Sequence, residues 1–238
     1  MGRPLHRHRL HGTHSAFCRL FKFLHAKFRI NPQIKRLKIS DGALTKSSPY
    51  FPLYSTFTAV DLGLSVKLAN MNLGATEIWE VGDYYAWGET EPYYTSLDPF
   101  VWREGKEAGY DWPSYVWCNG TKEYLTKYNT DSFLGDVDNK TVLDLSDDAA
   151  HVLLGGKWRM PTKDEWNELI SHVQHSWWLT TINGINGFYF LLEEGIFFFP
   201  FAGVFSFMDL QDDGLSGNYW ASTLCSEDPT QADRVGMN

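Results

Sequence analysis

Three pairs of identical adjacent carboxylates stand out as potential chemistry: Asp147-Asp148, Glu193-Glu194 and Asp212-Asp213. Hydrolysis of a glycosidic bond needs two carboxyl groups facing each other across the bond, about 5–9.5 Å apart. Neighbours on a strand point to opposite faces, and neighbours on a loop are ordinarily solvated charge, so adjacency argues against an acid–base pair. Ser, His and Asp are all present, but no nucleophile-elbow motif is. His151 reads as a helix-end or hydrogen-bonded histidine ahead of a general base. Cys18, Cys118 and Cys225 form no CxxC pair and, being odd in number, no disulfide framework. A Cys118–Cys225 bridge stays open at this level. No catalytic residue and no metal ligand is assigned.

Binding chemistry has better material. Residues 209–218, DLQDDGLSGN, are rich in oxygen donors, and a calcium ion takes six to eight of them; a plain turn-rich loop is the competing expectation. Beside it, Tyr219 and Trp220 could stack on a sugar or a peptide. The candidate ligand-binding residues are therefore Tyr219, Trp220, Asp212, Asp213 and Asn218. No cofactor is expected, with calcium the one ion to ask about. The partner class is a glycan, a peptide or a protein. Trp158, Trp166 and Trp220 carry core packing as the alternative, since most aromatic residues are used in packing.

The composition frames these residues. The chain has 238 residues, with 10 Trp, 12 Tyr and 16 Phe, a load that builds cores and sticky surfaces alike. Its net charge of −8 conceals a division. Residues 1–46 hold 11 Lys/Arg against Asp41, a balance of +10, and residues 47–238 hold 10 Lys/Arg against 28 acids, a balance of −18. The acidic part is a poor partner for nucleic acid, whose phosphates demand a basic surface. No stretch reaches the ~18 apolar residues that a membrane-spanning helix needs.

The domain plan follows that division. Residues 1–56 read as a basic, disordered segment and linker. Arg19, Lys22, His25, Lys27 and Arg29 interrupt any signal-peptide apolar run. Leu20, Phe21, Phe23, Leu24 and Phe28 among the bases could instead form a membrane-surface helix. His6, His8, His11 and His14 lack the ordered surroundings of a metal site. From Phe57 the texture becomes that of a folded domain. Residues 57–62 and 66–71 read as short strands and 82–88 as an aromatic segment between glycines. The long stretch 89–140 reads as loops with functional use or aromatic packing of their own.

The helices are plainer. Thr162 and Glu165 form a capping box after Pro161, and Trp166, Leu169, Ile170 and Val173 follow as one buried face, which predicts a helix over 162–174. A shorter helix is predicted near Asp147–Leu154, with acids at its positive end. Gly187–Glu193 and Gly195–Phe201 read as a hairpin, Asn183–Gly187 as the turn before it, and Asn218–Leu224 as a further strand. Strands, helices, loops and then strands indicate an α+β domain with small antiparallel sheets and two helices.

Several of these segments resemble a known family. Ala59–Lys67, Asn72-Leu73-Gly74-Ala75 and Gly82–Thr90 are similar to motifs of the Fibrobacter succinogenes major paralogous domain. So are Asp147–Val152, Gly155–Thr162, the Asn-Gly repeats at 183–187 and Tyr219–Thr223. The resemblance spans about residues 57–226, in the family's order. It implies a C-type-lectin-like fold and display at the surface of Bacteroidota cells by a non-enzymatic binding or adhesion module. Family members run on past the Tyr-Trp motif to further strands, so the resemblance implies that residues 57–238 are an incomplete domain lacking the closing strand. No Glu-Pro-Asn or Trp-Asn-Asp signature of sugar-binding lectins is present. The runner-up readings are an enzyme of formylglycine-generating or carbohydrate-active descent, and an inactive fragment. The former would need a reactive cysteine pair, and no close pair exists.

Overall fold

Strand pairing is short and local almost everywhere in this chain. The computed structural model describes Ala43–Leu44 and residues 57–238, apart from 174–176 and 193–194. In chain order the elements are β1 (Ala43–Leu44), β2 (Ala59–Val60), β3 (Leu68–Ala69), β4 (Tyr94–Leu97), β5 (Phe100–Trp102), α1 (Ala149–Leu154) and α2 (Lys163–Val173). They continue as β6 (Trp178–Ile182), β7 (Ile185–Leu192), β8 (Gly195–Pro200), β9 (Val204–Ser206), β10 (Asp209–Gln211), β11 (Gly217–Leu224) and β12 (Ala232–Met237). The pairs β2–β3, β4–β5, β9–β10 and β11–β12 are separate antiparallel ribbons, and β1, β6, β7 and β8 form a four-stranded sheet in that order. The architecture is α+β, with small, mostly antiparallel sheets and two helices.

Within residues 1–56, assigned above to a tail and linker, Ala43 and Leu44 pair in parallel with Thr181 and Ile182. The basic run, its histidines and the apolar residues between Leu20 and Phe28 lie outside the described residues.

The predicted hairpin is present as β7 and β8, in the register Phe188 opposite Phe199 and Phe190 opposite Phe197. Opposed residues share a face. Phe190, Phe197 and Phe199 pack into one core with Trp166 and Leu169 of α2. Tyr189 and Phe198 pack on the other face with Ile182. Burial on both faces explains why this hairpin reads as an almost unbroken aromatic run rather than an alternating one. Asn183 and Gly184, at φ of 47° and 86°, form the tight turn between β6 and β7. That left-handed pair is the signature of a two-residue hairpin turn.

Helix α2 is capped as its sequence predicts. The Thr162 hydroxyl accepts from Glu165 N at 3.3 Å, and the Glu165 carboxylate accepts from Thr162 N at 2.8 Å. Trp166 and Leu169 are buried to 6% and 1% exposure, while Ile170 is only half-buried at the rim of the same core. Helix α1 begins one residue after Asp148, whose side chain accepts from His151 N. A short 3-10 turn at Leu145–Asp147 precedes it.

Three ribbons depart from the sequence expectation. The stretch 89–140 contains β4 and β5. Residues 204–211, read in part as an oxygen-rich loop, contain β9 and β10, joined at Phe207 with φ 55°. A phenylalanine in that conformation supplies none of the Gly, Asn or Asp signal by which hairpin turns are found. Residues 232–237, where the resemblance implies no finished strand, form β12, which pairs with β11 and places Val235 and Met237 in the core. Among the described residues β2 pairs with β3 and not with β12.

Candidate functional site

The residues singled out for binding do not form one site. Tyr219 is a core residue: its ring packs against Trp166 and Phe199, and its hydroxyl donates to Pro200 O at 2.7 Å. Asn218 donates to Gly203 O and to Ser216 Oγ, which ties down the end of β11. Trp220 is half-buried, and its indole N–H donates to Tyr85 O at 2.9 Å. Asp212 and Asp213 are exposed on the turn after β10, where the Asp212 carbonyl accepts from Leu215 N and Ser216 N. Among the described residues no three His, Cys, Asp or Glu side chains group to hold a metal.

The carboxylate pair Asp147-Asp148 is spent on structure. Asp147 accepts from Lys127 Nζ and from the Tyr128 hydroxyl, each at 2.5 Å. Burial opposes its charge, but hydrogen bonds from Lys127, Tyr128 and Ser146 outweigh it and hold the carboxyl below the usual range. Asp148 turns the other way, capping α1 through one oxygen and accepting from Met160 N at 2.8 Å through the other. The two acids thus serve different partners and share no substrate position. His151 Nδ1 lies 3.0 Å from Trp158 O, a hydrogen-bonded structural role. Cys118 and Cys225 are free thiols. Glu193-Glu194 lies outside the described residues.

Most rings outside the main core are pegs. The hydroxyls of Tyr84, Tyr110 and Tyr115 donate to the carbonyls of Ala202, Tyr84 and Trp87. Tyr93 donates to Glu89 at 2.6 Å. Burial raises all four phenol pKa values well above the ordinary one, so each stays a neutral donor. Tryptophans do the same work between distant segments. Trp87 donates to Ala221 O at 2.8 Å, Trp166 to Trp220 O at 3.1 Å and Trp117 to Gly88 O at 2.7 Å. Gly74 and Gly82 permit the close approach of this layer: at Gly74, with φ 80°, a Cβ would run into the Asp83 carboxylate. The aromatic packing expected of residues 89–140 is present, and its function is to hold that long segment on the domain.

No family model, curated protein or solved structure matches the chain.

A cleft of about 990 Å³ has Tyr85, Trp112, Trp158 and Trp220 among the residues lining it. Its size is at the upper end for small-molecule sites, which are typically apolar with a few polar groups. The loop between α1 and α2, which carries Trp158, contributes to the lining, as do β12 and the turn before it. Of the ten tryptophans Trp158 alone makes neither a ring contact nor an indole hydrogen bond with a described residue; only its backbone is bonded. Lys157 and Arg234 line the same cleft. Arg234 stands opposite Trp220 across the β11–β12 ribbon, and Met160, two residues after Trp158, packs in one cluster with Trp220 and Ala232.

Sequence reasoning placed Trp158 in the core and passed over Lys157 and Arg234. A signal was nonetheless available. Trp158 follows Gly155-Gly156, sits between two cations and belongs to no helical or strand periodicity, which is the setting of a loop aromatic; its ring is half-buried.

Proposed function

We propose that residues 57–238 are a non-enzymatic binding module whose ligand, a glycan or a peptide, enters the aromatic cleft and stacks on Trp158. The observation that carries this reading is the indole of Trp158, which has no ring contact or indole hydrogen bond to a described residue, whereas the cleft's other tryptophans, Trp87, Trp112, Trp166 and Trp220, each have one. An aromatic side chain with an unused N–H and no ring partner supplies area and a donor at low cost in conformational freedom. We assign the cleft no reaction.

We further propose that the chain is a member of the Fibrobacter succinogenes major paralogous family with a C-type-lectin-like fold, displayed at the cell surface. Contact between the separated motif segments supports this. Trp87 and Trp220 knit Gly82–Thr90 to Tyr219–Thr223. Ser222 N donates to Pro161 O, and Lys163 N donates to Thr223 Oγ1, joining the Gly155–Thr162 motif to the same strand.

The test is an array of glycans and peptides probed with the full chain and with Trp158→Ala. Binding by the full chain that drops about tenfold or more in Trp158→Ala, the loss of a single interface hot spot, is the expected result. Equal binding by both proteins would show that the ligand does not meet Trp158.

A further inference from the structure

Resting on the cleft reading above, we propose that the ligand is an acidic glycan, whose pyranose ring stacks on Trp158 and whose ring carboxylate is taken by Lys157 and Arg234.

The pattern of ion pairing carries the charge of the ligand. Residues 57–238 contain ten Lys and Arg. Seven of them, Lys67, Arg103, Lys106, Lys127, Lys140, Arg159 and Lys163, form ion pairs with carboxylates of the same domain. Among the described residues Lys122, Lys157 and Arg234 do not. In a domain with a balance of −18, a cation left without a carboxylate is the exception, and two of these three line the cleft beside the free tryptophan. The cleft-lining Glu165 is paired with Arg159, and Asp233, next to Arg234, with Lys163; Asp228 accepts only from the neutral Thr230 and Gln231 and keeps its charge. The field of more distant acids is screened beyond about 8 Å at physiological salt. Lys157 and Arg234 thus remain the cations of this lining without a carboxylate partner among the described residues.

Spacing selects the kind of anion. Lys157 directly precedes Trp158, and Arg234 lies on the outward face of β12, with Val235 beside it turned to the core. A cation next to an indole matches a ligand whose carboxylate is fixed on a ring with an apolar face. A uronic acid has both groups on one rigid ring. An acidic peptide carries its carboxylate on a flexible stem and offers the indole no flat apolar face beside it, so ordering it costs more.

The experiment is calorimetric titration of the full chain with oligomers of galacturonate, mannuronate and glucuronate, and with the same oligomers methyl-esterified to remove the charge. The acid form of at least one series is expected to bind about tenfold tighter or more than its ester, the scale of a charge-assisted hydrogen bond. Lys157→Gln and Arg234→Gln should each bring the acid form toward the ester's affinity while leaving the melting temperature unchanged. Lys122→Gln, outside the cleft, should change nothing. Equal affinity for acid and ester, or full affinity in both cleft variants, would overturn the inference while leaving a neutral ligand on Trp158 in place. Absence of binding to every uronate series overturns it as well, and the array with Trp158→Ala then decides separately whether the cleft binds anything.

Discussion

Two tryptophan-bearing regions line the same cleft and differ in what their indoles are doing. Where the 82–89 segment meets β11, Trp87, Trp117 and Trp220 each donate to a backbone carbonyl. Their rings, with Tyr128, pack in one cluster. At the loop before α2, Trp158 donates to nothing and stacks on nothing among the described residues. The residue type and the cleft are the same, yet one region holds the chain together and the other is free to meet a ligand. An aromatic-rich composition by itself therefore says little about binding. The informative quantity is whether each ring and each N–H already has a partner.

Truncation separates the two regions most sharply. Trp166→Ala and Trp87→Ala each remove a buried ring and, with it, a donor to β11. Each should cost about 3–5 kcal/mol, read as a drop in denaturation midpoint with an unchanged slope. Trp158 is half-buried but makes no ring contact or indole hydrogen bond with a described residue, so Trp158→Ala should cost no more than about 1 kcal/mol. A comparable loss in all three would erase the distinction.

The polar support under the cleft gives the next effect. Lys127 carries an ion pair to Asp147, and its ammonium lies over the Trp117 and Tyr128 rings at 4.7 and 4.9 Å. Lys127→Met leaves Asp147 without its cation and should cost about 1–3 kcal/mol. Asp147→Asn should cost less, because the amide oxygen can still accept from Tyr128. The reverse order in urea denaturation would mean that Lys127 is held by its rings rather than by the carboxylate.

Acid should act on the same bonds. The Asp147 and Glu165 carboxyls are both held below their ordinary pKa, Asp147 by bonds that outweigh its burial and Glu165 first by the Arg159 guanidinium. A depressed folded-state pKa contributes stability that is complete above the unfolded value, about 3.9 for Asp and 4.3 for Glu. That stability is lost as pH falls through the folded value. The melting temperature should therefore decline from about pH 5 downward, and Asp147→Asn should flatten part of the decline. The cap at α2 gives the smallest effect: Thr162→Ala should cost about 1 kcal/mol and leave ligand binding unchanged.

Local rules were legible in the sequence and long-range ones were not. The capping box at Thr162, the face of Trp166 and Leu169, the α1 start at Asp148 and the β7–β8 hairpin rest on spacings of two to four residues. Each is present as expected, save that Ile170 lies at the rim. The ribbon β9–β10 escaped because Phe207 turns it without a turn residue. The strand β12 escaped although Arg234, Val235, Gly236 and Met237 alternate outward and inward, because so short a run with a glycine inside it is a weak strand pattern. The candidate site was misplaced for a related reason. Tyr219 and Trp220 adjoin an oxygen-rich loop in sequence, but on a strand they point to opposite faces, one into the core and one toward Tyr85. What identifies Trp158 is the lack of partners across the fold, and no local pattern records that.

The most direct test of the central claim is the dissociation constant of Trp158→Ala beside that of the unaltered chain, for the strongest ligand on the array, with both proteins melted in the same buffer. A loss of affinity of about tenfold or more, with a melting temperature close to that of the unaltered chain, is the predicted result. Unchanged affinity, or a collapse in melting temperature like that expected for Trp166→Ala, would contradict it and return Trp158 to the core.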